Sequence, residues 1–94
     1  KYYPHRTSHW LGADVHDAGR YNLRGVARPL VAGMVLTVEP ALYIPAGDDG
    51  APPELRGLGV RVEDDVLVHA AGPEVLTRAV PKRPAELEAL VGTR

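Results

Sequence analysis

The chain has no cysteine. That excludes a disulfide framework, a thiolate nucleophile and a thiolate metal ligand, so any metal would have to be held by nitrogen and oxygen. An excess of charge of one sign is also missing. Eleven basic residues face twelve acidic ones, the net charge is -1, and the basic residues are spread out rather than gathered into an arm or stripe. Composition therefore makes no electrostatic case for binding nucleic acid or an anionic membrane surface. No apolar run approaches the roughly 20 residues of a membrane span. There is no internal repeat, no low-complexity tract and no His-Glu-x-x-His helix of the kind that holds a lone hydrolytic zinc. No signal-peptide pattern is visible, and Lys1 rather than Met stands first, as expected of a piece of a longer chain. Ninety-four residues allow one small domain at most, with a limited core.

What the chain does have is two carboxylates set on apolar strands. Glu39 ends the run Met34 to Val38 and is followed by Pro40. Desolvating a carboxylate without a partner costs several kcal/mol, so something positive should meet Glu39. The candidates are His9, His16, Arg61 or a metal ion. Glu63 is the second such carboxylate, in Val60-Arg61-Val62-Glu63-Asp64-Asp65. Upstream, His5, His9 and His16 fall within twelve residues, and His69 is the remaining histidine of the chain. Histidine nitrogen with carboxylate oxygen is a plausible donor set for a divalent cation.

The pattern of residues predicts mostly extended structure. Residues 1–19, rich in His, Gly and Asp, predict turns and short extended pieces, and Arg20 to Pro29 a loop. Leu30 to Gly33 predicts a turn. Val35 to Ile44 predicts a strand kinked at Pro40 and covered on both faces of its first half. Pro45 to Gly57 predicts a loop. Leu58 to His69 is the clearest period-two stretch, with Arg61 and Glu63 on one face and a bulge or bend near Asp64-Asp65. Ala71 to Pro73 predicts a turn, Glu74 to Val80 a short strand, and Pro84 to Val91 a final helix turn or two.

Taken singly, each candidate residue has a plain structural explanation. The histidines suit a hydrogen-bonded surface, Glu39 an exposed strand end, and Trp10 a core. Glu63 suits an ion pair with Arg61 that is worth little if exposed. Asp64 and Asp65 suit a solvated bend, Tyr43 a strand aromatic with its hydroxyl at the surface, and Asp14 a turn cap.

Taken together they form three ordered motifs. The string His5-Arg6-Thr7-Ser8-His9-Trp10-Leu11-Gly12-Ala13-Asp14-Val15-His16-Asp17 resembles the histidine segment of the aminopeptidase P and prolidase family. Leu30 to Ile44, containing Glu39-Pro40 and Tyr43, resembles the next motif, and Arg56 to Asp65, containing Arg61 and Glu63, the last. The His-Trp-Leu-Gly string and the closing Lys82-Arg83-Pro84-Ala85-Glu86-Leu87-Glu88-Ala89-Leu90 favour the bacterial aminopeptidase P type. Arg6 stands where many relatives have Gly, and Ala41 where Gly is common.

The resemblance implies an α+β fold. It would be the C-terminal half of the pita-bread fold, mostly antiparallel strands with a short C-terminal helix, over residues 1–94. It implies metal-dependent hydrolysis of the bond between an N-terminal residue and a following proline, with two divalent ions, most often Mn²⁺. By resemblance His9 and Glu39 are ligands of one ion, and Glu63 bridges both. His16 contacts the scissile carbonyl or the leaving group, and His5 lines the proline side of the pocket. Arg61 orients the metal carboxylates, and its position two residues before Glu63 suggests that it holds the bridge. The family's two remaining ligands are aspartates on a strand upstream of the histidine segment, so this stretch alone is expected to be inactive or severely impaired. The expected partners are a peptide with proline second and the N-terminal part of the same protein. The intact enzyme is expected to be cytoplasmic and homo-oligomeric. Prolidase action on dipeptides and a non-catalytic partner-binding module of the same fold are the alternatives.

Overall fold

The fold is organised on one bent antiparallel ribbon. The computed structural model describes residues 1–92. Strand β3 (Val35–Val38) pairs with β6 (Asp64–His69), and β4 (Ala41–Tyr43) pairs with β5 (Gly59–Arg61). Val38 lies opposite Asp64, and Ala41 opposite Arg61. One register therefore runs through the whole ribbon. It sets Pro40 against Val62 and Glu39 against Glu63 at the bend between the two sheets. Pro40 has no N–H to give to the ladder, which explains why pairing lapses there. One bond survives, from the Val62 N–H to the Pro40 carbonyl at 3.1 Å.

The kink expected at Pro40 is thus real. The long strand expected over Leu58 to His69 is two strands, parted at Val62-Glu63, just before the predicted bend at Asp64-Asp65. Asp64 and Asp65 themselves are paired residues of β6, half-buried rather than solvated.

The N-terminal segment runs along the free edge of the ribbon. Thr37 N–H donates to the His9 carbonyl (2.9 Å), Glu39 N–H to the Thr7 carbonyl (2.7 Å) and Tyr43 N–H to the Tyr2 carbonyl (2.9 Å). Trp10 bridges to Leu36. Trp10 is half-buried rather than a core residue, and its ring stacks on Tyr21 at 5.3 Å. On its other edge β6 pairs with β7 (Gly72–Val75) through a turn at Ala70-Ala71. Strand β7 begins two residues earlier than the alternation suggested, and residues 76–79 form turns.

Two smaller elements differ from or refine the sequence reading. Arg20 to Pro29 is not a plain loop. It carries a hairpin of β1 (Asn22–Leu23) and β2 (Val26–Ala27). Its turn residues Arg24 and Gly25 have φ of 50° and 82°, as a tight two-residue hairpin turn requires. Arginine at the first of those positions hides the signal that Asn or Asp would have given. A single 3₁₀ turn, Pro53–Leu55, interrupts the loop after β4.

Helix α1 (Pro84–Leu90) begins with proline at its first position, and the Glu86 carboxylate accepts from the Arg83 N–H at 3.4 Å. None of its residues is buried. A seven-residue helix is marginal in water on its own, so it depends on what it packs against. No helix among the described residues is long and apolar enough to cross a membrane.

Few of the described side chains are buried, and the two buried polar ones lie at or beside the bend. Among the described residues the buried apolar side chains are Ile44 and Ala51, and the buried polar ones are Thr37 and Glu39. Val38, Leu42, Val60, Val62 and Leu87 remain substantially exposed, so the coverage expected on both faces of Val35 to Val38 is not supplied within these residues.

Candidate metal centre

Period two along β3 turns Thr37 and Glu39 to the same side. Both are inside: Thr37 is 1% exposed and Glu39 6%. Glu39 is therefore not the exposed strand end that it would be by default. The threonine hydroxyl donates to Glu39 Oε1 at 3.0 Å and accepts from the His9 N–H at 3.1 Å. It thereby ties the histidine segment to the carboxylate. Removing it with Thr37→Val strands both groups, and loss of a buried partner costs about 1–3 kcal/mol. Chemical unfolding of the intact protein should show that loss.

The partners foreseen for Glu39 are largely present. His9 Nε2 lies 3.1 Å from Glu39 Oε1, and Arg61 Nη1 lies 3.3 Å from Oε2. His16 does not bond Glu39. Its ring packs on that of His9, with centroids 4.3 Å apart and planes tilted 54°. Arg61 meets Glu39 rather than Glu63, because it sits on β5 opposite Ala41, one step past the bend. Its Nε–H donates to the Tyr43 hydroxyl at 2.9 Å. That hydrogen bond first, and then the charges of Glu39 and Glu63, hold the guanidinium still more firmly protonated than usual. Thr37 and the Tyr43 hydroxyl are site residues that motif reading passed over. The two-residue spacing of Thr37 and Glu39 was the available signal. Asp14 meets its turn only through the backbone, its carbonyl accepting from the Gly12 N–H at 3.2 Å; its side chain caps nothing among the described residues.

The protons on His9 can be assigned from its hydrogen bonds. Nδ1 is 2.9 Å from the Trp10 carbonyl oxygen, which only accepts, so Nδ1 carries the hydrogen in the neutral ring. In that form Nε2 presents its lone pair on the side of Glu39 Oε1, 3.1 Å away. Across the ribbon, Glu63 stands opposite Glu39, and like charges directly opposite repel. One donor atom each from His9, Glu39 and Glu63 lies within 4.8 Å of the others. A cation between them relieves the repulsion of the two carboxylates and gives the imidazole a partner. A histidine that gives its other N–H to a backbone carbonyl is the usual arrangement of a metal ligand. The donor set, one imidazole nitrogen and two carboxylates, fits a divalent ion of the Mn²⁺ or Zn²⁺ kind.

Beside this cluster His5 lies between two tyrosines, 5.3 Å from the Tyr3 ring and 5.5 Å from the Tyr43 ring. Its Nδ1 is committed to the Arg6 carbonyl at 2.8 Å, and its Nε2 is buried without a partner. The three histidines are therefore not one ligand cluster. His9 faces the carboxylates, His16 covers His9, and His5 belongs to an aromatic wall.

The model of metallopeptidase family M24 matches residues 1–70. Xaa-Pro aminopeptidase of Escherichia coli strain K12 is 51% identical over 90 residues, covering 96% of this chain and 20% of the relative. Among solved structures, Pseudomonas aeruginosa aminopeptidase PepP superposes with a TM-score of 0.89 at 53% identity, over 95% of this chain and 20% of that one. A zinc-substituted E. coli aminopeptidase P in complex with product gives a TM-score of 0.86 at 49% identity, again over 95% and 20%. The chain thus spans about a fifth of the length of these relatives. Its strands and short C-terminal helix are those of the aminopeptidase P pita-bread fold.

Proposed function

Because the chain belongs to metallopeptidase family M24, we propose that it is the C-terminal part of the catalytic domain of an Xaa-Pro aminopeptidase. The reaction is hydrolysis of the peptide bond between an N-terminal residue and a following proline. The observation that carries this reading is the meeting of His9, Glu39 and Glu63 at the ribbon bend, with their donor atoms within 4.8 Å. The site would take two divalent ions, manganese by preference, with residues outside these 94 completing the ligand set. When bound, such ions supply positive charge that polarises a carbonyl and makes water acidic enough to yield a nucleophile near neutral pH.

The chain's own residues have distinct tasks. His9 is held in the tautomer that presents Nε2 by the Trp10 carbonyl. Glu39 is the other terminal ligand, and Thr37 and Arg61 hold its two oxygens in place. Glu63 would be the carboxylate that holds both ions. His16, packed at a tilt beside His9, would donate a hydrogen bond to the scissile carbonyl or a proton to the leaving nitrogen. His5, with Tyr3 and Tyr43, gives the proline ring a wall of tilted aromatic faces. Arg61 acts through Glu39 and Tyr43 rather than on substrate.

The test is substrate length and metal dependence in the intact protein. A tripeptide with proline second should be cleaved with Mn²⁺ present, and chelation should abolish the cleavage. Cleavage restricted to Xaa-Pro dipeptides would make the enzyme a prolidase. No cleavage of either in the metal-loaded protein would leave the non-catalytic reading.

A further inference from the structure

Glu63 is held differently from Glu39. Thr37 and Arg61 bond the Glu39 carboxylate and His9 lies against it, whereas that of Glu63 is exposed and has no hydrogen-bond partner among the described residues. Its aim must come from the backbone on either side. Upstream, Val62 is anchored to Pro40. Downstream lies a clamp to which the proposed chemistry assigns no task. Lys82 Nζ donates to Asp64 Oδ1, to the Thr77 carbonyl and to the Val80 carbonyl, each at 2.9 Å, so all three ammonium hydrogens are committed. The Thr77 hydroxyl donates to the same Asp64 oxygen at 2.6 Å and accepts from the Asp65 N–H at 3.1 Å. Leu76 N–H closes the set on the Asp65 carbonyl at 2.8 Å. The turn at residues 76–82 is thereby drawn onto the first two residues of β6. The Lys82 and Asp64 side chains are largely shielded, at 23% and 27% exposed.

We propose that Lys82, Thr77 and Asp64 are positioning residues that fix the backbone from which Glu63 reaches the metal centre. This rests on the reading of Glu63 as the bridging carboxylate. The clamp holds the residue immediately after Glu63, and the Pro40 carbonyl holds the one immediately before. A carboxylate spanning two ions tolerates little displacement, and loss of an outer partner of a metal ligand typically costs about 10–100-fold in affinity or activity. Lys82 also carries a positive charge and lines the same cavity as Glu63. By charge alone its removal should tighten metal binding, while loss of positioning should weaken it. The two explanations predict opposite signs.

The experiment uses the intact protein stripped of metal and titrated calorimetrically with Mn²⁺, alongside thermal unfolding and steady-state kinetics. Thr77→Val, which keeps the side-chain shape, and Lys82→Met should each weaken binding of one ion by about 10–100-fold. kcat should fall with little change in KM. Asp64→Asn, which keeps an acceptor oxygen for Thr77 and Lys82, should retain most of the affinity that Asp64→Ala loses. The proposal is overturned if these variants melt earlier yet bind Mn²⁺ with wild-type affinity when folded, or if Lys82→Met binds it more tightly. A Glu63→Ala protein that binds Mn²⁺ unchanged would remove the bridging reading and this one together. Weakened binding in Glu63→Ala, with wild-type behaviour in the clamp variants, would remove the clamp's role alone.

Discussion

Glu63→Ala in the intact protein is expected to abolish Mn²⁺-dependent cleavage and to lower the bound metal from two ions to one at most. The expected loss of kcat/KM exceeds the roughly 100-fold typical of an outer-shell change, because this change removes a donor atom itself. Glu63 is exposed, and its carboxylate has no hydrogen-bond partner among the described residues. Its removal should therefore cost the metal-free fold little, and metal-free melting temperatures of wild type and variant should agree closely. Metal analysis by mass spectrometry with a tripeptide assay checks both halves. Two ions retained at full activity would take Glu63 out of the site.

Glu39→Gln should likewise separate function from stability. The variant loses a charged donor at a proposed ligand position, so metal affinity and turnover should both fall by more than about 100-fold. The metal-free fold should change far less. Glu39 Oε1 lies 3.1 Å from His9 Nε2, and an amide can present either a donor or an acceptor there. The other amide position keeps an acceptor for Arg61, and the Thr37 hydroxyl can turn to accept. What is lost is the charge of a partly exposed pair with Arg61, which is worth little. Thermal unfolding with chelator should show only a small shift. A metal-free variant that fails to fold would mean that the Glu39 charge holds the bend together rather than being kept for a metal.

Much of this was legible in the chain. The alternation of Leu58 to His69, the kink at Pro40 and the proline that opens α1 are local effects, decided by backbone geometry over a few residues. The three ordered motifs were legible too, because ligand types and their near neighbours must be particular residues. Other features were not. The hairpin at Asn22–Ala27 was missed because Arg24 occupies a positive-φ position that sequence signals assign to Asn, Asp or Gly. Arg61 was a candidate partner for both Glu39 and Glu63, and only the strand break at Val62-Glu63 decides that its guanidinium bonds Glu39. The clamp of Lys82, Thr77 and Asp64 joins residues 13 to 18 apart in sequence across a turn, and no local pattern announces such a contact.

The chain by itself determined which side chains are available: nitrogen and oxygen donors without thiolate, and two carboxylates placed where burial would be expensive. Tertiary structure decided that these face one another. That choice belongs to the register of the bent ribbon, which puts Glu39 against Glu63 and lays His9 along the free edge. Register is a relation between distant segments, set by the summed pairing of many residues, and no single stretch of sequence contains it.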